Sequence, residues 1–271
     1  MKIFAIRDET DKSRKDLAWL LYYEIPKKFY IELPDCADPW ETPLLLSSFA
    51  QAGTTSINSY WSGLWVQQRI IPPDRQNIQQ ILQDNSLKEY DEFGLLMLSK
   101  GRCAQDDYYL VPITENRLPG EIQARLTRRL EDLVPLQNNT LLCFFRDGTV
   151  RKCDLTAYFE THREFSVLLN RPEFFRHVRM QAGGHGIIWD ENLMIDNAVL
   201  YAAGIEIPLT MEDFCTFARE RMVNTQEAAE LLDCSRQYIA ELVKNEKLHP
   251  LKASEKNTLF LKSEILKRMW S

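Results

Sequence analysis

The side chains in this sequence whose types suit them to chemistry are scattered, and their spacing narrows what they can do. Asp91, Glu92, Lys100, Arg102, Asp106 and Asp107 gather carboxylates and cations in one stretch. A metal-dependent nuclease or a phosphotransfer site uses such equipment, with Asp91, Glu92, Asp106 and Asp107 as the metal ligands. No acidic-x-Lys or histidine spacing ties the set together, and surface loops routinely collect such residues. Gly183-Gly184-His185-Gly186 lies between Val178-Arg179-Met180 and Ile187-Ile188-Trp189 and reads as a loop between two strands, with His185 a turn residue. His162, His177 and His249 stand at no metal-ligand spacing from one another or from cysteine. There is no G-x-x-x-x-G-K-[ST], G-x-G-x-x-G, H-E-x-x-H or G-x-S-x-G. The expectation is therefore no catalytic residues, no metal and no cofactor: a protein that is not an enzyme.

Cys36, Cys103, Cys143, Cys153, Cys215 and Cys234 include no C-x-x-C pair, which suits reduced, mostly buried thiols of a cytosolic protein better than a disulfide framework. Trp40, Tyr60, Trp61, Trp65, Tyr108 and Tyr109 are candidates to line a ligand pocket, although aromatics more often fill cores and interfaces.

The elements that position these residues belong to a chain of 271 residues, 45% apolar and 27% charged, an ordinary globular composition with room for two or three domains. Thirty-three basic against 39 acidic side chains give a net charge of -6, which excludes a protein that coats nucleic acid over its whole surface. By region the basic and acidic counts are 16 and 20 over residues 1–135, 8 and 12 over 136–220, and 9 and 7 over 221–271, so only the last stretch is net basic. Lys2, Arg7, Asp8 and Glu9 interrupt the start where a secretory signal would be apolar. The longest apolar run, Leu17 to Tyr23, falls far short of the roughly 20 residues that cross a bilayer. A cytoplasmic protein with no membrane partner is expected.

Residues 1–135 read as an α+β or α/β domain, with strands at Lys2 to Ile6 and Lys28 to Leu33 and helices at Pro43 to Ala52 and Arg75 to Gln83, the latter capped by Asp74 after Pro72-Pro73. A helix over Leu118 to Leu133, opened by Pro119 and ended by Pro135, closes the domain; Ile122, Leu126, Leu130 and Leu133 form its packed stripe, with Arg125, Arg128 and Arg129 on a solvated face. Sensing, dimerisation or partner binding are its candidate roles.

Residues 136–208 read as a small α+β domain in the order hairpin, helical piece, short helix, hairpin, helix. Asp147-Gly148 marks the first hairpin turn, between Leu141–Phe145 and Val150–Asp154. Pairing Phe145 with Val150 sets Cys143 opposite Lys152 and on the other face from Cys153, which disfavours a disulfide across the hairpin. The run Leu141-Leu142-Cys143-Phe144-Phe145-Arg146-Asp147-Gly148-Thr149-Val150-Arg151-Lys152-Cys153-Asp154-Leu155, followed by Phe174-Phe175-Arg176-His177-Val178, Ile187-Ile188-Trp189 and Leu200-Tyr201, resembles a bacterial domain family of unknown function. Its pattern is F-x-D-G, D-L, x-F-x-x-V, a strand ending in Trp and a terminal L-Y. The resemblance implies a fold and an accessory or regulatory module, and carries over no catalytic residue.

Residues 209–222 form a linker or helix, and residues 223–271 carry the sharpest signal. Asn224 or Thr225 caps a helix, with Glu227 completing a capping box and Ala228, Ala229, Leu231 and Leu232 packing inward. Asp233-Cys234-Ser235 breaks it, and a second helix runs to about Asn245 with Ile239, Leu242 and Val243 buried. A small residue at the crossing, Ala229, and a turn residue able to adopt a left-handed conformation, Asp233, are what two helices joined by so short a turn require. Leu251 to Ala253 and Thr258 to Lys262, around a polar loop, read as a β-wing, and Ser263 begins a last helix. Thr225-Gln226-Glu227-Ala228-Ala229-Glu230-Leu231-Leu232, Ser235-Arg236-Gln237-Tyr238-Ile239 and Lys247-Leu248-His249-Pro250 closely resemble the winged helix-turn-helix of the excisionase and MerR-like family. That resemblance implies that the second helix enters the DNA major groove, with Ser235, Arg236, Gln237 and Tyr238 toward base edges and Lys244, Lys252, Lys256 and Lys262 on phosphates.

The expected protein is α+β and multidomain, a dimeric, sequence-specific regulator whose partner is double-stranded DNA. The alternatives are an antitoxin-like or accessory protein docking a protein partner, and a DNA-tethered enzyme with its site in residues 1–135.

Overall fold

Apolar side chains at nearly every position bury both faces of β1 (Lys2–Asp8), β2 (Ala18–Tyr23) and β3 (Lys28–Glu32), so these strands need cover on two sides. The computed structural model, which describes residues 1–254 and 257–268, supplies it with α1 (Leu44–Gln51), β4 (Ser56–Ile57), α2 (Ser59–Gln67), α3 (Ile78–Asp84), α4 (Glu92–Ser99), β5 (Tyr108–Ile113) and α5 (Gly120–Thr127). The five strands make one antiparallel sheet in the order β4-β3-β2-β1-β5. Phe4, Ile6, Leu20 and Ile31 face Leu46, Trp65 and Leu96 on one side; Ile3, Ala5, Trp19 and Leu21 face Leu118, Ile122 and Leu126 on the other. Antiparallel pairing decides between the two expected classes in favour of α+β. Pro112, which has no N–H to donate, sits in the edge strand β5, where proline is tolerated.

Two expectations fail here. The helix opened by Pro119 ends at Thr127, and the chain then forms β6 (Leu130–Pro135). Leucines four and three apart fit a strand of mixed burial as well as a helix, and β7 (Thr140–Phe145) decides the matter by pairing with β6 from Leu130↔Phe145 to Pro135↔Leu141. The helix predicted at Arg75 starts instead at Ile78, with Asn77 at its N-cap, so Asp74 caps nothing.

Beyond β7 come β8 (Val150–Asp154), α6 (Thr156–Thr161), α7 (Ser166–Leu169), α8 (Pro172–Arg176), β9 (Arg179–Met180), β10 (Gly186–Asp190), β11 (Leu193–Asp196) and α9 (Asn197–Ala203). β8, β7 and β6 are successive neighbours in one sheet, and β11, β10 and β9 form another. A separate core fills this region, built on Cys143, Phe145, Leu155, Phe159, Phe175, Trp189 and Leu200, and Trp189 Nε1 donates to the Phe175 carbonyl at 2.9 Å. The expected hairpin facing is overturned. Cys143 and Cys153 are both fully buried in this one core, and a hydrogen bond between the two thiols is the main cause of the upward push on the Cys143 pKa. The plain two-residue Asp-Gly turn needs positive φ at both central residues; Gly148 has a φ of +85° but Asp147 does not, so the connecting turn is of another form than the one that fixed the expected register. The six cysteines are free thiols; only these two are buried, while Cys36 and Cys215 are exposed.

The contact pattern divides the chain into two compact units, residues 1–147 with 151–205 and residues 206–271 with 148–150; the regions before and after residue 135 fall in the same unit. β12 (Ile205–Ile207) carries the chain from the first unit to the second. The second unit holds α10 (Met211–Arg221), β13 (Met222–Asn224), α11 (Thr225–Leu231), α12 (Arg236–Lys244), β14 (Lys252–Ala253), β15 (Thr258–Leu261) and α13 (Lys262–Lys267). Its sheet runs β13-β15-β14, antiparallel throughout, and its core gathers Val223, Ala228, Ala229, Ile239, Leu242, Leu248, Phe260 and Ile265.

Candidate nucleic-acid interface

The local sequence accounts for how α11 and α12 begin and end. Asn224 accepts from the Gln226 and Glu227 amides, and Glu227 accepts from the Asn224 amide at 2.8 Å, which closes the capping box. α11 stops in a Schellman motif: the Asp233 amide donates to the Glu230 carbonyl and the Cys234 amide to that of Ala229, with Asp233 at a φ of +48°. Ala228 and Ala229 are buried where the helices meet, small enough to let α12 approach. Ser235 caps α12 by accepting from the Tyr238 amide at 3.1 Å. α12 ends as α11 does, with Glu246 at +54° and the Lys247 amide donating to the Leu242 carbonyl.

This geometry buries Ile239 and Leu242 and leaves Ser235, Arg236, Gln237, Tyr238 and Lys244 exposed, so the sequence-predicted readers of α12 share the outer side and end of one helix. Arg236 and Lys244 are about 12 Å apart along the axis at 1.5 Å per residue. The Ser235 hydroxyl is already engaged as a cap, and Arg236 Nη2 donates to Gln226 Oε1 at 2.7 Å, a contact that reaches across from α11. Tyr238 is half exposed. Glu241 is exposed on the same helix and lowers its positive character.

The remaining lysines separate. Lys252 is exposed on β14, and the Ser254 amide donates to the Asn257 carbonyl at 2.9 Å. Lys262 is the first residue of α13, half-buried, and not the end of the strand as expected. Lys256 lies outside the described residues. Among the described residues Arg236, Lys244, Lys252 and Lys262 make no ion pair, so their charge is not spent within the fold. Two residues of the quoted motifs were not among the expected contact residues: exposed Lys247, signalled by its place just past the α12 stop, and Gln226, which no sequence signal links to Arg236.

The acidic set proposed for metal binding is not assembled. Asp91 caps α4 through the Gly94 amide and pairs with Lys27, Glu92 accepts from Gln67, and Asp106 pairs with Arg69. Among the described residues no group of three His, Cys, Asp or Glu is placed to hold a metal ion.

A second polar cluster, in the first unit, was not anticipated. Glu32, fully buried, takes Arg129 at 2.7 Å, Arg125 at 3.1 Å and the Ser56 hydroxyl at 2.8 Å. Arg129 donates to the Tyr23 hydroxyl at 2.6 Å, and that hydroxyl meets His185 Nε2 at 3.2 Å. Of the three arginines expected on a solvated face, Arg128 is exposed, while Arg125 and Arg129 reach the interior; the Arg129 guanidinium, just past α5, spans to the buried carboxylate of the sheet. His185 is buried, stacked at 3.5 Å on Tyr30, and its pKa is driven well down by burial and then by Arg129 and Arg146. Burial likewise pushes the Tyr30 hydroxyl up to about 12 and Asp196 up to about 6. The glycines beside His185 permit this insertion: a Cβ on Gly184 would lie 2.0 Å from the Leu130 carbonyl oxygen, and both Gly183 and Gly184 have positive φ. With Glu32, Arg129 and His185 all closed from solvent, the cluster holds two parts of one unit together and offers a substrate no approach.

Comparison with protein families, with characterised proteins and with solved structures finds no match to this chain. No helix among the described residues is long and apolar enough to cross a membrane.

Proposed function

We propose that this protein is a sequence-specific, dimeric DNA-binding regulator whose second unit is a winged helix-turn-helix. The observation that carries the proposal is the first turn of α12. Arg236, Gln237 and Tyr238 are exposed in consecutive positions, while the opposite side of the helix is packed against α11 and the small sheet. A helix held in that way offers its amino-terminal side chains to base edges, guanine for a bidentate arginine and adenine for glutamine. The supporting features are the element order β13-α11-α12-β14-β15-α13, the exposed Lys244 and Lys252 without ion pairs among the described residues, and the net basic charge of residues 221–271. Lys256 and Lys262 complete the proposed phosphate contacts.

One such head neutralises about five phosphates, which gives weak and strongly salt-dependent binding; two heads on a two-fold operator reach useful affinity. The test is fluorescence anisotropy of the full chain on its own upstream DNA and on a scrambled duplex of equal length, at low and physiological salt, beside Arg236→Ala. Specific binding that survives physiological salt and is lost in the variant supports the proposal. Equal, weak binding to both duplexes overturns it and favours a role in docking a protein partner.

A further inference from the structure

The first unit contains a cavity of about 800 Å³ between α1, α2 and the segment leading into β5, within the size range of small-molecule sites. Its walls include Trp65, which is fully buried, and Arg69, whose side chain is 1% exposed. The Arg69 guanidinium lies 3.7 Å over the Trp65 ring; its Nη1 donates to the Trp65 carbonyl at 3.2 Å and its Nη2 to Asp106 Oδ2. Two donors are left over. Arg69 Nε and Trp65 Nε1 are both buried, and neither finds a hydrogen-bond partner among the described residues. Buried polar groups are normally satisfied, and both of these can only donate, so the group that would complete them must be an acceptor.

The rest of the cavity defines the acceptor's company. Trp40 is 95% and Leu44 89% exposed, two large apolar side chains left in water at the rim of the same cavity. Asp106, the sole carboxylate on Arg69 among the described residues, is 26% exposed and stands on the solvent side of the pair. An incoming carboxylate can take the place of Asp106 Oδ2 on the arginine fork while Asp106 Oδ1 keeps the Tyr108 amide, at 3.2 Å, and the Cys103 thiol, at 3.5 Å. A doubly charged phosphate would meet Asp106 with like charge and only one cation to offset it. Burial lowers the Arg69 pKa, and Asp106 offsets this only in part.

We propose that this cavity binds a small organic monocarboxylate with an apolar, ring-bearing body: the carboxylate bonds to Arg69, exchanging with Asp106, and the ring lies against Trp40 and Leu44. The site belongs to the first unit and its test reads no DNA, so its failure and that of the regulator proposal are separate.

The test is isothermal titration calorimetry of the full chain with benzoate, 4-phenylbutyrate and octanoate, each beside its neutral amide, and with phenyl phosphate. The expected result is saturable binding of 4-phenylbutyrate, with the amide and the phosphate roughly tenfold weaker or worse, the loss that follows removal of a charge-assisted hydrogen bond. Trp40→Ala, at a position exposed enough to leave the fold intact, should weaken the ring-bearing acids several-fold with no change in melting temperature. Asp106→Asn should tighten them, because it removes the competing carboxylate. Acid and amide binding alike, no binding of any of the three acids at millimolar concentration, or a Trp40→Ala variant that binds as the wild type does would each overturn the proposal.

Discussion

Arg236 and Gln237 are the side chains on which sequence recognition would depend, and they differ from the lysines in what their loss should do. Arg236→Ala is expected to cost about 1–3 kcal/mol on the specific duplex and little on a scrambled one, because a base contact is lost. Lys252→Ala should weaken both duplexes alike and lower the slope of log affinity against log salt by about one, because a phosphate contact is lost. Anisotropy titrations at several salt concentrations separate the two. At Glu32 the expected effect is on stability. Glu32→Gln leaves Arg129 and Arg125 with no buried charge opposite them, and urea unfolding should show a loss of about 3–5 kcal/mol. Asp196 behaves in the reverse sense. Burial raises its folded pKa to about 6 above an unfolded value near 3.9, so the folded state binds more protons between the two. That contribution to stability is present below about pH 4 and is lost as pH rises through 6. Asp196→Asn, which keeps the cap on the Ala198 amide, should therefore gain on the wild type as pH rises across that window, as read by unfolding at pH 4, 5, 6 and 7.

At the scale of elements, the helix ends of the second unit store a small strain that substitution can release. Asp233 and Glu246 both hold left-handed conformations at the stops of α11 and α12. Asp233→Gly or Glu246→Gly should stabilise the protein by about 0.5–1 kcal/mol, whereas Asn224→Ala should destabilise it by about 1 kcal/mol through loss of the capping box. Shifts in the midpoint of chemical unfolding check all three. The left-handed turn at Asp233 and the box from Asn224 to Glu227 were legible from residue type, because both depend on backbone groups within a few positions of the side chain. The switch from α5 to β6 was not. Leu126 and Leu130 keep a helical interval across it, and only β7, paired from Leu130↔Phe145 onward, shows that the backbone bonds there lie between strands.

For the whole molecule, the regulator proposal requires two heads. Sedimentation at micromolar concentration is expected to give a dimer, and its preferred DNA should show two half-sites about 34–36 Å apart along the duplex. A monomer unaffected by DNA would leave a single weak head and count against the proposal. The first unit, with a sheet buried on both faces and a second core beside it, holds most of the chain, and the proposal looks to it for association.

What the sequence determined by itself is what periodicity and short-range hydrogen bonding encode: a mixture of helices and strands, the strands β1 and β3, the first hairpin of β7 and β8, and the capped helix pair with its exposed Arg236, Gln237 and Tyr238. What only the tertiary structure decided involves partners distant in the chain. Arg129 finds Glu32, His185 stacks on Tyr30, Cys143 shares a core with Cys153, and Arg69 lies over Trp65 with one carboxylate and two unmet donors. A lone arginine or histidine in a sequence reads as solvated because water is its usual partner. It becomes an interior group only when folding brings a carboxylate or a ring to it from another element, and residue type and spacing do not carry that information.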